Sequence, residues 1–266
     1  MESHETYWAD VALLDWQVAL GADEAIGDVP VDRYALEAVA AKPVAAVVAE
    51  RGRPPPPPIP VPETFDAPAL AREAAEAAGD LAALRTAQAG FSLCNLQKGA
   101  RNFVWAEGDA RARVMIVGEA PGRAEDQAGR PFVGPQGALL DRMLAAIGLD
   151  RAVPDPARAA YVLHVLPWRT AGAGMPQAED LAMMGPFLER HIALVQPDVL
   201  VLMGNAPCQA LLGRTGITRM RGHWGEVLGR PALPMFAPEM LLEQPTAKRD
   251  AWADLLAVKD RLRDMA

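Results

Sequence analysis

Apolar residues fall along this chain with two periods, and each change of period marks a new element. Continuous apolar runs of strand type stand at 114–117, 161–166, 199–203 and 234–236. Runs of that length suit strands buried on both faces. Helical spacing fills the intervals at 138–149, 177–195 and 206–212, and a last helix is expected over 246–264. Upstream, 67–88 reads as helix with Gly79 as a break. Strands alternating with helices imply right-handed crossovers and a parallel sheet covered on both faces, an α/β fold. The order of the strands does not follow from this pattern, and no internal repeat is present.

Nearer the start the pattern changes character. Trp8, Val11, Leu13 and Leu14 fall at helical spacing within 8–20, with Trp16 nearby, which predicts an amphipathic helix. The tract PPPPPIPVP at 54–62 is an extended spacer and fits neither a helix nor a central strand. The expected organisation is a helical appendage over 1–50, a proline-rich linker over 51–66 and an α/β domain over 67–266. The appendage either packs on that domain or recruits a protein partner.

Composition adds the compartment and corrects a first impression of charge. The chain has 266 residues, 51% hydrophobic and 23% charged, enough to bury a sizeable core. Two distant cysteines, Cys94 and Cys208, argue against a disulfide framework and fit a reducing cytoplasm. The opening MESHETYWAD lacks the basic start and apolar run of a signal peptide, and no apolar run is long enough to span a membrane. A cytoplasmic, nucleoid-associated protein is expected. The net charge of −8 speaks against a nucleic-acid partner until its distribution is considered. Residues 1–66 hold 12 acidic and 4 basic side chains, and the remainder holds 22 of each. Within that neutral remainder, 213–230 carries Arg214, Arg219, Arg221 and Arg230 against Glu226 alone. This is either a local phosphate-binding patch or a solvated arginine-rich loop.

The chemistry gathers behind the first strand. There the chain reads Gly118-Glu119-Ala120-Pro121-Gly122, then the carboxylate pair Glu125 and Asp126, then Gly129 to Gly134 around Phe132. Ligands of open α/β sheets bind where strand ends meet loops. Glycines let peptide N–H groups face a ligand, and a plain strand–helix turn is the alternative. The Gly-Lys-Ser/Thr ending of a P-loop is absent. Phe132, held between Gly and Pro residues, is either a stacking wall for a flat base or a core anchor. His164 lies inside the second strand run, 161–166, and is either a hydrogen-bonded structural residue or a contact to a base edge. His223 is a candidate phosphate contact, whereas His4 and His191 look incidental. Zinc-ligand spacing is missing, and so is the Gly-x-Ser-x-Gly elbow of a serine hydrolase.

Together these residues resemble the family-4 uracil-DNA glycosylases. The similarity runs over about 93–255 and includes GEAPGRAED (118–126), GRPFVG (129–134), the strand at 161–166, PFLERHIALVQPDVLVLMG (186–204), ITRMRGHW (217–224) and MFAPEMLLEQPTAKRDAWADL (235–255). The resemblance implies a three-layer α/β/α sandwich around a four-stranded parallel sheet. It implies DNA containing uracil or a related damaged base as partner, a flipped-out base, and hydrolysis of its N-glycosidic bond. By position Glu119 and Glu125 match the two acids of the first motif, and Phe132 matches the ring that stacks on uracil. Gly118, Ala120, Pro121 and Gly122 form the loop around the base. His164 stands in place of an asparagine that reads uracil's edge. Arg219, Arg221, His223, Ala237, Pro238 and Lys248 fall in the DNA-contacting segments. The 237–239 segment corresponds to a His-Pro-Ser loop that supplies a catalytic histidine, and alanine stands where that histidine would be.

Members of that family hold an iron–sulfur cluster on four cysteines. Here Cys94 alone remains, with Phe91, Trp168 and Met183 at the other three positions, so no cluster and no other cofactor is expected. The main competing expectation is a catalytically weakened or inactive paralogue that binds DNA or a damaged base. A small-molecule nucleotide-binding α/β protein fits the strand–loop–helix pattern alone.

Overall fold

The computed structural model describes residues 4–19, 66–170 and 176–265. The chain divides into two units, Met1–Val61 and Pro62–Ala266. In the first, α1 spans His4–Ala19 and exposes Leu13, Leu14, Trp16 and Val18. The proline tract lies outside the described residues.

The second unit opens with α2 (Ala67–Ala77) and α3 (Leu81–Ala89), separated where Gly79 suggested a break. Asp66 and Asp80 cap them, each accepting a backbone N–H three residues on, from Ala69 at 3.1 Å and Ala83 at 2.8 Å;. There follow α4 (Leu96–Gly99), β1 (Val114–Gly118), α5 (Arg123–Ala128), α6 (Gly134–Ile147), β2 (Ala160–His164), α7 (Ala178–Val195), β3 (Val199–Met203) and α8 (Asn205–Leu212). The unit ends with α9 (Ile217–Met220), β4 (Gly225–Val227), β5 (Arg230–Met235), α10 (Pro238–Glu243), a 3₁₀ turn (Pro245–Ala247) and α11 (Lys248–Asp264).

The strands form one sheet in the order β2-β1-β3-β5-β4. β2, β1, β3 and β5 are mutually parallel, and β4 pairs antiparallel with β5 at the edge. The expected four-stranded, wholly parallel sheet is therefore corrected to five strands with one antiparallel edge. A two-residue hairpin makes the edge: Leu228 and Gly229 both have positive φ, 50° and 74°, the twist-matched turn of tight hairpins. β4 has three residues, two of them Gly and Glu, so no apolar period announces it. β5 begins at Arg230 rather than 234, because Pro231 and Pro234 obscure its strand character. The other expected elements shift by a few residues at their ends, and α6 starts at Gly134 rather than 138.

β1, β2 and β3 are buried along their whole length, as expected of strands covered on both faces. α7 packs on α2, α3 and α8, while α6 packs on α10 and α11. Right-handed crossovers place these two groups on opposite faces of the sheet. β1 connects outward to β2, and β3 connects the other way to β5. Between the carboxyl ends of β1 and β3 lies the switch point, where such sheets open a crevice.

Candidate active site

That crevice holds a pocket of about 140 Å³ lined by Gly118, Glu119, Ala120, Gly122, Phe132, Gln136, His164, Met203, Ala237 and Glu239. Each of the four parallel strands contributes residues at its carboxyl end. The volume suits one six-membered ring, since a cavity of about 150 Å³ accepts benzene.

Glu119 follows β1 directly. Its Oε1 accepts the N–H groups of Asn205 at 2.7 Å and Ala206 at 3.2 Å, at the start of α8. One carboxylate oxygen is thus fixed across the switch point, and Oε2 takes no protein hydrogen bond among the described residues. The approach requires Gly204 (φ +102°), where an added Cβ would sit 2.5 Å from that oxygen. Asn205 also accepts the N–H groups of Gly216 and Ile217 at 3.0 and 2.9 Å, tying the α9 loop to the same corner.

Glu125 does not line the pocket. Its side chain is almost wholly buried behind it and accepts three hydrogen bonds. The amide of Phe132 (2.5 Å) and His164 Nε2 (2.9 Å) reach Oε1, and the amide of Gly122 (2.6 Å) reaches Oε2. Burial pushes this carboxyl up, but the His164 hydrogen bond and charge, with the two amides, outweigh burial and hold it below the usual carboxylate range;. Glu125 therefore ties together the two loops that wall the pocket. Its sequence neighbour Asp126 points elsewhere, accepting the N–H groups of Arg101 and Asn102 at 2.8 and 3.0 Å.

Phe132 has φ 49°, a conformation that side chains rarely adopt. Three contacts hold it there. Glu125 takes its N–H, Arg151 donates to its carbonyl at 3.0 Å, and Gly137 leaves room for that carbonyl, which an added Cβ would meet at 1.8 Å. The ring stacks on His164 with centroids 4.6 Å apart and planes at 28°. His164 Nε2 donates to Glu125, and Nδ1 is buried without a hydrogen-bond partner among the described residues. Gly118 lies against both rings, since an added Cβ would meet Phe132 Cζ at 2.6 Å and His164 Nδ1 at 2.7 Å.

The remaining expected residues separate. Pro121 and Pro238 are buried and do not line the pocket, whereas Ala237 does. Arg219 and His223 border a second depression with Arg214 and Trp224. Arg221 is committed to α11, donating to Asp254 and to the Asp250 carbonyl. Lys248 lines an apolar groove beside Trp252. His191 is a core residue whose Nε2 lies 2.8 Å from the Tyr161 hydroxyl, and burial pushes it down to about 3. Sequence reasoning did not single out Gln136, Arg151, Gly204 or Glu239. Gly204 left a signal as a glycine directly after a strand, and Glu239 one as the last residue of the 237–239 segment.

Fold and pocket define an open α/β domain with a ring-sized pocket at the carboxyl ends of its parallel strands, walled by an aromatic ring and a carboxylate. Within that class, residues 105–256 match the model of the Uracil DNA glycosylase superfamily, and the chain belongs to that superfamily of glycosylase hydrolases. It is similar to the type-4 uracil-DNA glycosylase of Archaeoglobus fulgidus, at 33% identity over 172 residues, covering 60% of this chain and 82% of that protein. It is similar also to the type-4 uracil-DNA glycosylase of Thermotoga maritima, at 34% over 152 residues, 56% of this chain and 76% of that protein. The chain is accordingly family-4-like.

The residues at the four positions that the family resemblance gives to a cluster do not fit an iron–sulfur group, since three of them carry no thiol;. Cys94 is a buried free cysteine, and one thiolate cannot hold a cluster that needs four ligands. Phe91 packs edge-on against Phe187 at 5.5 Å, Trp168 lies beside Phe103 at 5.4 Å, and Met183 packs against the core. Among the described residues, no group of three or more His, Cys, Asp or Glu is placed to hold a metal ion.

Proposed function

We propose that this protein hydrolyses the N-glycosidic bond joining uracil, or a related damaged base, to deoxyribose in DNA, and does so without an iron–sulfur cluster. The observation that carries this reading is that Glu119 and Phe132 wall the same ring-sized pocket at the switch point. An extruded base stacks along Phe132, as flipped bases do on aromatic walls. Its edge meets Nδ1 of His164, the buried nitrogen that has no partner among the described residues;. Glu119 is oriented by α8, and its free oxygen positions the attacking water or stabilises the cationic sugar. Glu125 acts through its neighbours: its acceptor oxygen sets the proton of His164 on Nε2 and fixes the Phe132 backbone. Arg219 and His223, exposed around the second depression, support a phosphate contact;.

Incubation with a uracil-containing single-stranded oligonucleotide, then alkali, tests the reading. Strand breaks that disappear in Glu119→Ala are expected. Breaks that persist in that variant would remove Glu119 from the chemistry. A second reading, a binding protein with little or no catalysis, draws on Ala237, which lines the pocket yet carries no donor. Intact DNA despite measurable binding would favour it. The cluster-free reading has its own assay: an anaerobically purified sample should hold no stoichiometric iron and show no absorbance near ~400 nm, the region where iron–sulfur clusters bound by Cys thiolates absorb.

A further inference from the structure

The segment that carries Ala237 brings a second group into the pocket. Glu239, two residues on in the first turn of α10, lines the pocket with Glu119, Phe132 and His164. It is exposed at the rim, and its carboxyl makes no hydrogen bond to another residue among those described. The pocket thus has two carboxyl groups in unlike settings. Glu119 is an acceptor for backbone N–H groups, whereas Glu239 has no donor from another element among the described residues.

We propose that Glu239, as a carboxylic acid, donates to the leaving base and so provides the contact that the alanine at position 237 cannot. The proposal rests on the glycosylase reading above and extends it. As the C1′–N bond breaks, its electron pair stays with the base, and the Glu239 proton is shared with or delivered to a base oxygen or nitrogen. The oxygen of water bonds to C1′, and the proton it sheds passes by way of Glu119 to solvent. Glu239 recovers a proton from solvent at the rim, so water is divided between sugar and base. Unlike roles for two nearby carboxyl groups are how one site runs acid and base chemistry together.

The surroundings favour the neutral acid. Although Glu239 is exposed at the rim, the pocket walls desolvate its carboxyl and push it above its usual range; its own backbone N–H pulls it down, the charges of Glu125 and Glu119 push it up, and His164 opposes them. These groups, from the β1–α5 loop, α5 and the end of β2, are the titratable ones that act on it. A group raised in this way is a donor at low pH and loses that role as pH rises through its raised value.

The test uses the full chain, Glu239→Gln and Glu239→Ala, each checked for an unchanged melting temperature. Two quantities are followed across acid to alkaline pH: the single-turnover rate on a uracil oligonucleotide, and affinity for one carrying 2′-fluorodeoxyuridine, whose glycosidic bond resists cleavage. In wild type both should fall as pH rises. E239Q keeps an N–H donor at every pH and should flatten that fall. E239A should lose on the order of a hundredfold in rate at acid pH, the effect of deleting one donor to developing charge. Identical pH profiles for all three proteins would overturn the proposal. A wild type that cleaves no uracil DNA would sink the glycosylase reading instead, and the affinity profile would still decide whether Glu239 touches the base.

Discussion

Replacing Glu125 with Gln removes one charge at constant shape and probes how the pocket is held. The carboxylate accepts three hydrogen bonds, from Phe132, His164 and Gly122. An amide has one acceptor oxygen and one N–H₂ group. With its oxygen toward Phe132 and His164, its N–H₂ faces the Gly122 amide, donor against donor. Leaving one buried donor without an acceptor costs about 1–3 kcal/mol. The two surviving bonds lose their charge assistance, which roughly halves their strength. E125Q should therefore be less stable by about 3 kcal/mol at neutral pH, a large share of the ~5–15 kcal/mol typical of a domain. The sign of its pH dependence follows from the direction of the shift. The folded state holds this carboxyl below its ordinary value of 4.5. The stabilisation is complete above that value and is lost as pH falls through the lower folded one. Urea denaturation followed by tryptophan fluorescence at several pH values should show the widest gap between wild type and E125Q at neutrality, narrowing in acid. A gap within about 0.5 kcal/mol at pH 7, the range of ordinary surface changes, would refute Glu125 as the tie between the two loops.

Other expectations concern space and charge. Gly118→Ala puts a methyl group 2.6 Å from Phe132 and 2.7 Å from His164. It should abolish base excision while the protein still unfolds cooperatively, and full activity on a uracil oligonucleotide would show that the rings move aside. The arginines of the basic stretch should divide. Arg221→Ala strands the buried Asp254 and should cost about 3 kcal/mol in thermal or urea unfolding. Arg219→Ala should leave stability unchanged and reduce the salt dependence of DNA binding by roughly one counterion. The reverse pattern would show that Arg221, not Arg219, contacts phosphate.

Where a property depended on local period, the chain could be read directly. β1 and β3 are short apolar runs flanked by helical spacing, and parallel pairing needs the long crossovers that separate them. Glu119 and Phe132 were legible because their strand–loop–glycine context is local, and the family resemblance sharpened both. β4 was not legible, because a three-residue edge strand carries no period and exists only by pairing with β5. Within the carboxylate pair, adjacency concealed a division: Glu125 turns back to the pocket loops and Asp126 turns toward the amides of Arg101 and Asn102. The basic stretch likewise looked uniform until α11 placed Asp254 against Arg221.

From the sequence alone came an α/β domain, the loop behind β1 as the expected place for chemistry, and the expectation, from the family resemblance, that three of four cluster positions lack cysteine. These rest on residue type and near-neighbour spacing. Only the tertiary structure decided that Gln136 and Glu239 share a pocket with Glu119, that Gly204 and Gly137 make room for Glu119 and Phe132, and that the buried His164 is tied to Glu125 through Nε2. Those juxtapositions depend on which strand ends meet at the switch point, and strand order is set by packing between elements far apart in the chain.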